Sequence, residues 1–191
     1  MKNALLIHGW NTKGEYYDST RPTASNDHWF PWLTKQLVLN DINTVSIEMP
    51  DGYYPQYDTW KKELERYDIT QNTIFVGHSC GGGFLVRWLS ESNVKVGKVI
   101  LVAPWLGYDV NSEPFDSDFF NFKIDADLAK KTDTISIFVS DDDEDGIQHS
   151  VGVLIDKIKG INVRTFEGKG HFTLKSLGGP TFPELAEELL R

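Results

Sequence analysis

The chain has 191 residues, 40% hydrophobic and 25% charged, with 28 acidic against 19 basic side chains and a formal net charge of −9. That length suits one domain of about 150 residues with some loop insertion, burying roughly 70% of its unfolded surface without staples. The composition excludes wholesale disorder or a fibrous repeat, the acidic balance argues against nucleic acid, which demands a cationic surface, and the lone Cys80 cannot form an internal disulfide.

Residues 4–8 are an apolar, strand-like run, and their short apolar core is too brief for a signal peptide. No segment approaches the stretch of about 18 apolar residues that a membrane helix needs, so the expected setting is cytoplasmic, with no membrane partner. Residues 9–27 form a long polar loop, a length more often seen in lids and binding loops than in plain connections. A helix is expected over 29–39, behind the cap-like Asn26 and Asp27 and with Pro31 in its first turn, where a missing N–H costs little. Residues 44–48 alternate apolar and polar, as an edge strand does, before a helix over 59–67 in which Trp60 and Leu64 share a face. Residues 73–77 and 96–103 are near-continuous apolar strands, suited to burial on both faces, and a helix over 82–90 separates them.

After the fourth strand, residues 104–125 insert Trp105, Tyr108, Phe115, Phe119, Phe120 and Phe122, either as a binding loop or as cover for apolar sheet edges. Helix 126–131, strand 135–140, helix 150–159, strand 161–166 and helix 183–190 complete the order. Six strands alternating with helices predict right-handed parallel crossovers and an α/β fold: one three-layer, doubly wound, mostly parallel six-stranded sheet in a single domain over 1–191. Loops 9–27 and 104–125 are expected near the functional site.

The string Gly77-His78-Ser79-Cys80-Gly81 falls where the third strand ends and a helix begins. There a serine can sit on a sharp, strained turn, with glycines leaving room for neighbouring elements and helix N–H groups facing the site. Gly82 and Gly83 each weaken the following helix by about 1 kcal/mol relative to alanine, which predicts close approach of another segment. Cys80 is expected to pack inward as a small hydrophobe rather than act as nucleophile.

A serine hydroxyl needs a base. Of the five histidines, His171 stands just past the last strand between Gly170 and Phe172, whereas His149 reads as solvated at the start of a helix, and His8 and His78 flank strand ends. A histidine base must be neutral, so activity is expected to fall below a pH of about 6.5. The orienting acid belongs just beyond the fifth strand, where residues 141–145 offer five carboxylates that spacing alone does not separate. Asp141, Asp143, Asp145 and Gly146 match the start of a calcium loop, but Gly152 stands where its bidentate glutamate belongs, which excludes an EF-hand. The oxyanion donors expected are the backbone N–H groups of Cys80 and Trp10.

The strings Leu6-Ile7-His8-Gly9-Trp10, Asn26-Asp27-His28-Trp29-Phe30-Pro31-Trp32-Leu33, Gly77-His78-Ser79-Cys80-Gly81 and Gly170-His171-Phe172 resemble the small α/β-hydrolases of the YdeN-like and retinoblastoma-binding serine hydrolase family. The resemblance runs over essentially the whole chain. It implies a compact α/β-hydrolase fold and a Ser-Asp-His triad, the acid being the second aspartate of a pair after the fifth strand: Asp143, with Asp142 as second candidate. The chain departs from the family pattern in two places: Ile147 follows Asp143 by four positions rather than three, and loop 9–27 is longer. These readings predict a carboxylesterase-like serine hydrolase cleaving a small-molecule ester, thioester or amide through Ser79, His171 and Asp143, with no metal or cofactor. Trp10, Trp105 and Phe172 are expected to line an apolar pocket. The alternative is a non-catalytic protein-binding module on the same scaffold, its partner unspecified.

Overall fold

The computed structural model describes residues 2–108, 116 and 118–191; Phe115 lies outside them. The strands are β1 (Asn3–Ile7), β2 (Asn43–Ile47), β3 (Thr73–His78), β4 (Val96–Val102), β5 (Thr132–Ser140) and β6 (Asn162–Phe166). The helices are α1 (Lys13–Tyr16), α2 (Phe30–Val38), α3 (Tyr57–Leu64), α4 (Cys80–Glu91), α5 (Asp145–Lys157) and α6 (Pro183–Leu190). The strands form one sheet in the order β2-β1-β3-β4-β5-β6, and every pairing is parallel. This is the expected three-layer, doubly wound α/β architecture. β3 is buried along its whole length and β4 everywhere but Lys98, which is why their sequences run apolar without alternation. β2 and β6 are the edges, as expected for residues 44–48, and both are mostly half-buried or exposed.

Each helix buries one stripe. Phe30, Leu33 and Leu37 of α2 and Leu185, Ala186 and Leu189 of α6 are buried, and the Trp29 and Phe182 rings at the start of these helices meet edge to face at 6.0 Å. Trp60 of α3 meets Phe84 of α4 at 5.5 Å, and Phe119 from the aromatic insertion packs against Trp60 at 5.2 Å. Phe119 is therefore cover for the core, not a binding-loop side chain.

Several boundaries differ from expectation. Loop 9–27 contains α1, opened by a reciprocal capping box in which Thr12 Oγ1 accepts from Glu15 N–H and Glu15 Oε2 accepts from Thr12 N–H. Asn26 ends a short 3₁₀ turn, and Asp27 Oδ1 accepts the neighbouring His28 N–H at 2.6 Å, so neither side chain caps α2. Residues 126–131 hold only a 3₁₀ turn, Leu128–Lys131. α5 starts at Asp145, five residues early: Ser150, where the expected helix began, is buried within it, and its hydroxyl donates back to the Gly146 carbonyl at 2.6 Å and accepts Leu106 N–H at 3.0 Å. His149 is thus in the second turn, exposed and packed at a tilt against Tyr108, with ring centroids 4.1 Å apart.

β1 has β2 on one side and β3 on the other, so the chain reverses its winding direction between β1 and β3. In open α/β sheets, ligands settle outside the carboxyl ends of the strands at such a reversal. The register pairs Ile7 with Gly77, which brings Gly9 beside Ser79.

Candidate active site

Ser79 has φ 54° and ψ −122°, a backbone state that side-chain-bearing residues rarely hold. The surroundings enforce it. Ser79 N–H donates to the Val102 carbonyl at 2.9 Å, and the Ser79 carbonyl accepts from Gly82, Gly83 and Trp105 N–H at 2.9, 3.2 and 3.0 Å. The glycines are the steric condition for this turn. A Cβ on Gly77 would stand 2.7 Å from the Gly81 carbonyl oxygen, one on Gly81 would strike the His8 carbonyl, and one on Gly83 the Trp105 carbonyl. The unfavourable helix glycines are thus explained by close approach of the β1 and β4 loops to α4. Among the described residues, no protein acceptor takes the backbone N–H of Cys80 or Trp10. The Cys80 side chain is fully buried, and burial pushes its thiol pKa well up, which leaves it a packing residue.

His171 is delivered by the loop after β6, which is clamped to the end of β5 residue against residue. Asp141 Oδ1 accepts Gly168 N–H at 2.9 Å, Ser140 Oγ accepts Lys169 N–H at 2.8 Å, and Asp142 Oδ1 accepts Gly170 N–H at 2.7 Å. Next in this series, Asp143 meets the His171 side chain, its carboxylate oxygens 3.0 and 3.1 Å from Nδ1. The Asp143 side chain is wholly buried and also accepts Glu144 N–H at 2.8 Å. Asp142 is instead held by Ser140 Oγ, which donates to it at 2.6 Å; that bond and the Gly170 N–H keep its carboxyl below the ordinary carboxylate range. With Nδ1 donating to Asp143, the His171 Nε2 is left as an acceptor.

Ser79 and His171 line the same cleft, of about 500 Å³, together with Trp10, Asn11, Glu15, Arg21, Asp27 and His28. Of the three side chains expected to line the pocket, only Trp10 does so. Phe172 does not line the cleft: φ of 52° turns it inward, where it is fully buried and stacks on Phe182 at 5.2 Å, its carbonyl accepting Trp29 Nε1 at 2.9 Å. Trp105 stands behind the serine turn, its indole N–H donating to the Tyr108 carbonyl at 2.8 Å, and is not among the lining residues either. Trp10 does line the cleft, its indole N–H donating to the Tyr53 carbonyl at 3.0 Å. Asn11, Glu15, Arg21, Ala24, Asp27 and His28 supply a further part of the wall, in keeping with the expectation that loop 9–27 lies near the site, and Phe30 and residues 173–175 complete it with the neighbouring His8, Gly9 and His78.

Three further histidines surround the site. His78 is buried and donates from Nε2 to the His171 carbonyl at 2.8 Å; burial drives its pKa well down and leaves it neutral. His8 is also held below the ordinary value by burial, its Nε2 accepting Met49 N–H at 2.8 Å. His28 is a lining residue for which sequence reasoning assigned no role; its signal was the aromatic string that it opens. Among the described residues, no group of three or more His, Cys, Asp or Glu side chains converges as a metal site would. None of the described helices is long and apolar enough to cross a membrane.

The Serine hydrolase family model matches residues 4–189. YdeN of Bacillus subtilis (strain 168) is 30% identical over 106 residues, which is 53% of this chain and half of that relative's length. The crystal structure of the B. subtilis ydeN gene product superposes with a TM-score of 0.76 at 22% identity, covering 99% of this chain and 97% of the other. The esterase EaEST of Exiguobacterium antarcticum superposes with a TM-score of 0.64 at 14% identity, covering 100% and 91%. At these identities the structural likeness speaks to the fold.

Proposed function

Since the chain belongs to the serine hydrolase family, we propose that it cleaves a small ester, thioester or amide with Ser79 as nucleophile, His171 as base and Asp143 as orienting acid. The observation that carries this reading is the pairing of His171 Nδ1 with the buried Asp143 carboxylate on a cleft that Ser79 shares. Ser79 Oγ bonds to the substrate carbonyl carbon as its proton passes to His171 Nε2. The negative charge that develops on the carbonyl oxygen is met by the N–H groups of Cys80 and Trp10. Collapse breaks the bond to the leaving group, which takes the proton from His171 and leaves an acyl-serine. Water, deprotonated by the same imidazole, then releases the acid and restores the serine. Asp143 holds the imidazole in the tautomer that this cycle needs. A partner-binding module would have no use for a serine kept in strained backbone at the mouth of a cleft.

The test is labelling by a fluorophosphonate probe alongside hydrolysis of short p-nitrophenyl esters. Wild type labels and turns over, while Ser79→Ala and His171→Ala do neither; unchanged labelling of Ser79→Ala refutes the assignment.

A further inference from the structure

Three lining histidines, His8, His28 and His78, are left unused by the proposed chemistry, and the setting of His28 is specific. Its φ is 53°, one of six positive values at non-glycine residues among those described. Such strain persists where surrounding structure over-determines it, and it concentrates at ligand sites. Here the backbone is fixed by Asp27 Oδ1, which accepts His28 N–H, and the ring by Leu174 N–H, which donates to Nδ1 at 3.3 Å. Its edge-to-face contact with His78, at 5.9 Å between centroids, fixes the ring plane. Burial holds the imidazole below its ordinary pKa, and the nearby His171 pushes the same way. A neutral ring that accepts at Nδ1 carries its proton on Nε2. No protein group among the described residues bonds that nitrogen, and the ring lines the cleft with Ser79 and His171.

We propose that His28 is a specificity-determining residue whose Nε2–H donates to an oxygen atom of the substrate's acyl group, so that the cleft selects small oxygenated acyl groups over alkyl chains of equal size. The inference rests on the hydrolase reading above. The same cleft is lined by Asn11, whose buried Oδ1 has no hydrogen-bond partner among the described residues, so a purely alkyl occupant would leave that acceptor unpaired.

The experiment compares kcat/KM for p-nitrophenyl methoxyacetate and p-nitrophenyl butyrate, two acyl groups of nearly the same shape that differ by an ether oxygen. Taking the ratio between variants cancels their different intrinsic reactivity. His28→Asn tolerates the left-handed backbone but falls short of the Nε2 position, whereas His28→Gln places an amide N–H near it. The methoxyacetate-to-butyrate ratio is expected to fall about 3- to 10-fold in His28→Asn, the size of one lost hydrogen bond, and to recover substantially in His28→Gln. A ratio unchanged in both variants, even with both rates lowered together, overturns the proposal and leaves the hydrolase reading intact. A wild-type protein that hydrolyses neither ester and takes no fluorophosphonate overturns both.

Discussion

Two hollows of nearly equal size lie at opposite ends of the sheet. The one at the carboxyl ends of the strands measures about 500 Å³ and holds Ser79, His28 and His171. The one at the amino ends measures about 540 Å³ and is lined by Lys2, Asn72, Lys98, Asp133 and Glu188 among others. Volume does not distinguish them, but backbone strain and unspent hydrogen-bonding capacity do. Ser79 and His28 carry positive φ in the first, and none of the positive-φ residues lines the second. At the amino end, Lys98 Nζ donates to the Glu188 carbonyl at 2.6 Å and ties β4 to α6, a structural duty. The difference follows from the direction of a parallel sheet: each strand ends in a loop leading to a helix N-terminus at one end only, so free N–H groups gather there.

The contrast can be broken most forcefully with paired substitutions. His171→Ala is expected to reduce kcat/KM by about 10⁴-fold or more, while Lys98→Met at the other hollow leaves it within about twofold; comparable losses from both would erase the distinction. Neighbouring carboxylates sharpen it further. Asp143→Asn is expected to lower turnover by about 10³- to 10⁴-fold through the wrong imidazole tautomer. Asp142→Asn, which loosens the clamp on Gly170, should instead show mainly as a lower melting temperature. Equal kinetic losses in the two variants would mean that the register between residues 140–143 and 168–171 has been misassigned.

Glycine substitutions probe the turn itself. Gly81→Ala puts a methyl group against the carbonyls of Ile7 and His8 and is expected to cost about 1–3 kcal/mol or more in urea denaturation. Gly152→Ala in α5 meets nothing within 4 Å and should add up to about 1 kcal/mol. The last contrast is in pH dependence. His8 and His78 are neutral and buried in the native state with lowered pKa values, whereas the unfolded chain protonates them near the ordinary value of 6.5. Their stabilising contribution is therefore complete above pH 6.5 and is lost as pH falls from there toward the depressed native values. Chemical denaturation between pH 7.5 and 5.5 should show stability falling by up to about 1.4 kcal/mol per pH unit for each histidine. A flat profile would show that these rings are not held neutral by burial.

Much of the fold was legible because its signals are local. Alternation at residues 44–47 marked an edge strand, unbroken apolar runs marked the central ones, and Gly77 to Gly81 marked the turn. Thr12 and Glu15 also carry a readable capping box inside the stretch expected to be a loop near the site. Other features depend on contacts that no local pattern encodes. The role of each carboxylate in 141–143 is decided by its partner across two elements, Gly168 for Asp141, Gly170 for Asp142 and His171 for Asp143. Phe172 has the composition of a pocket residue, but a positive φ turns it into the core. The expected helix start at Ser150 fell five residues late, because Ser150 is buried inside the helix, where its hydroxyl accepts Leu106 N–H across the fold. The part of the cleft wall that loop 9–27 supplies is a tertiary product of its folding back over the reversal point.

The most direct measurement is peptide-level mass spectrometry of the protein after reaction with a fluorophosphonate. The account predicts a single adduct, located on Ser79 and absent when His171 is replaced by alanine. An adduct on any other residue, Cys80 included, or a protein left unmodified would contradict it.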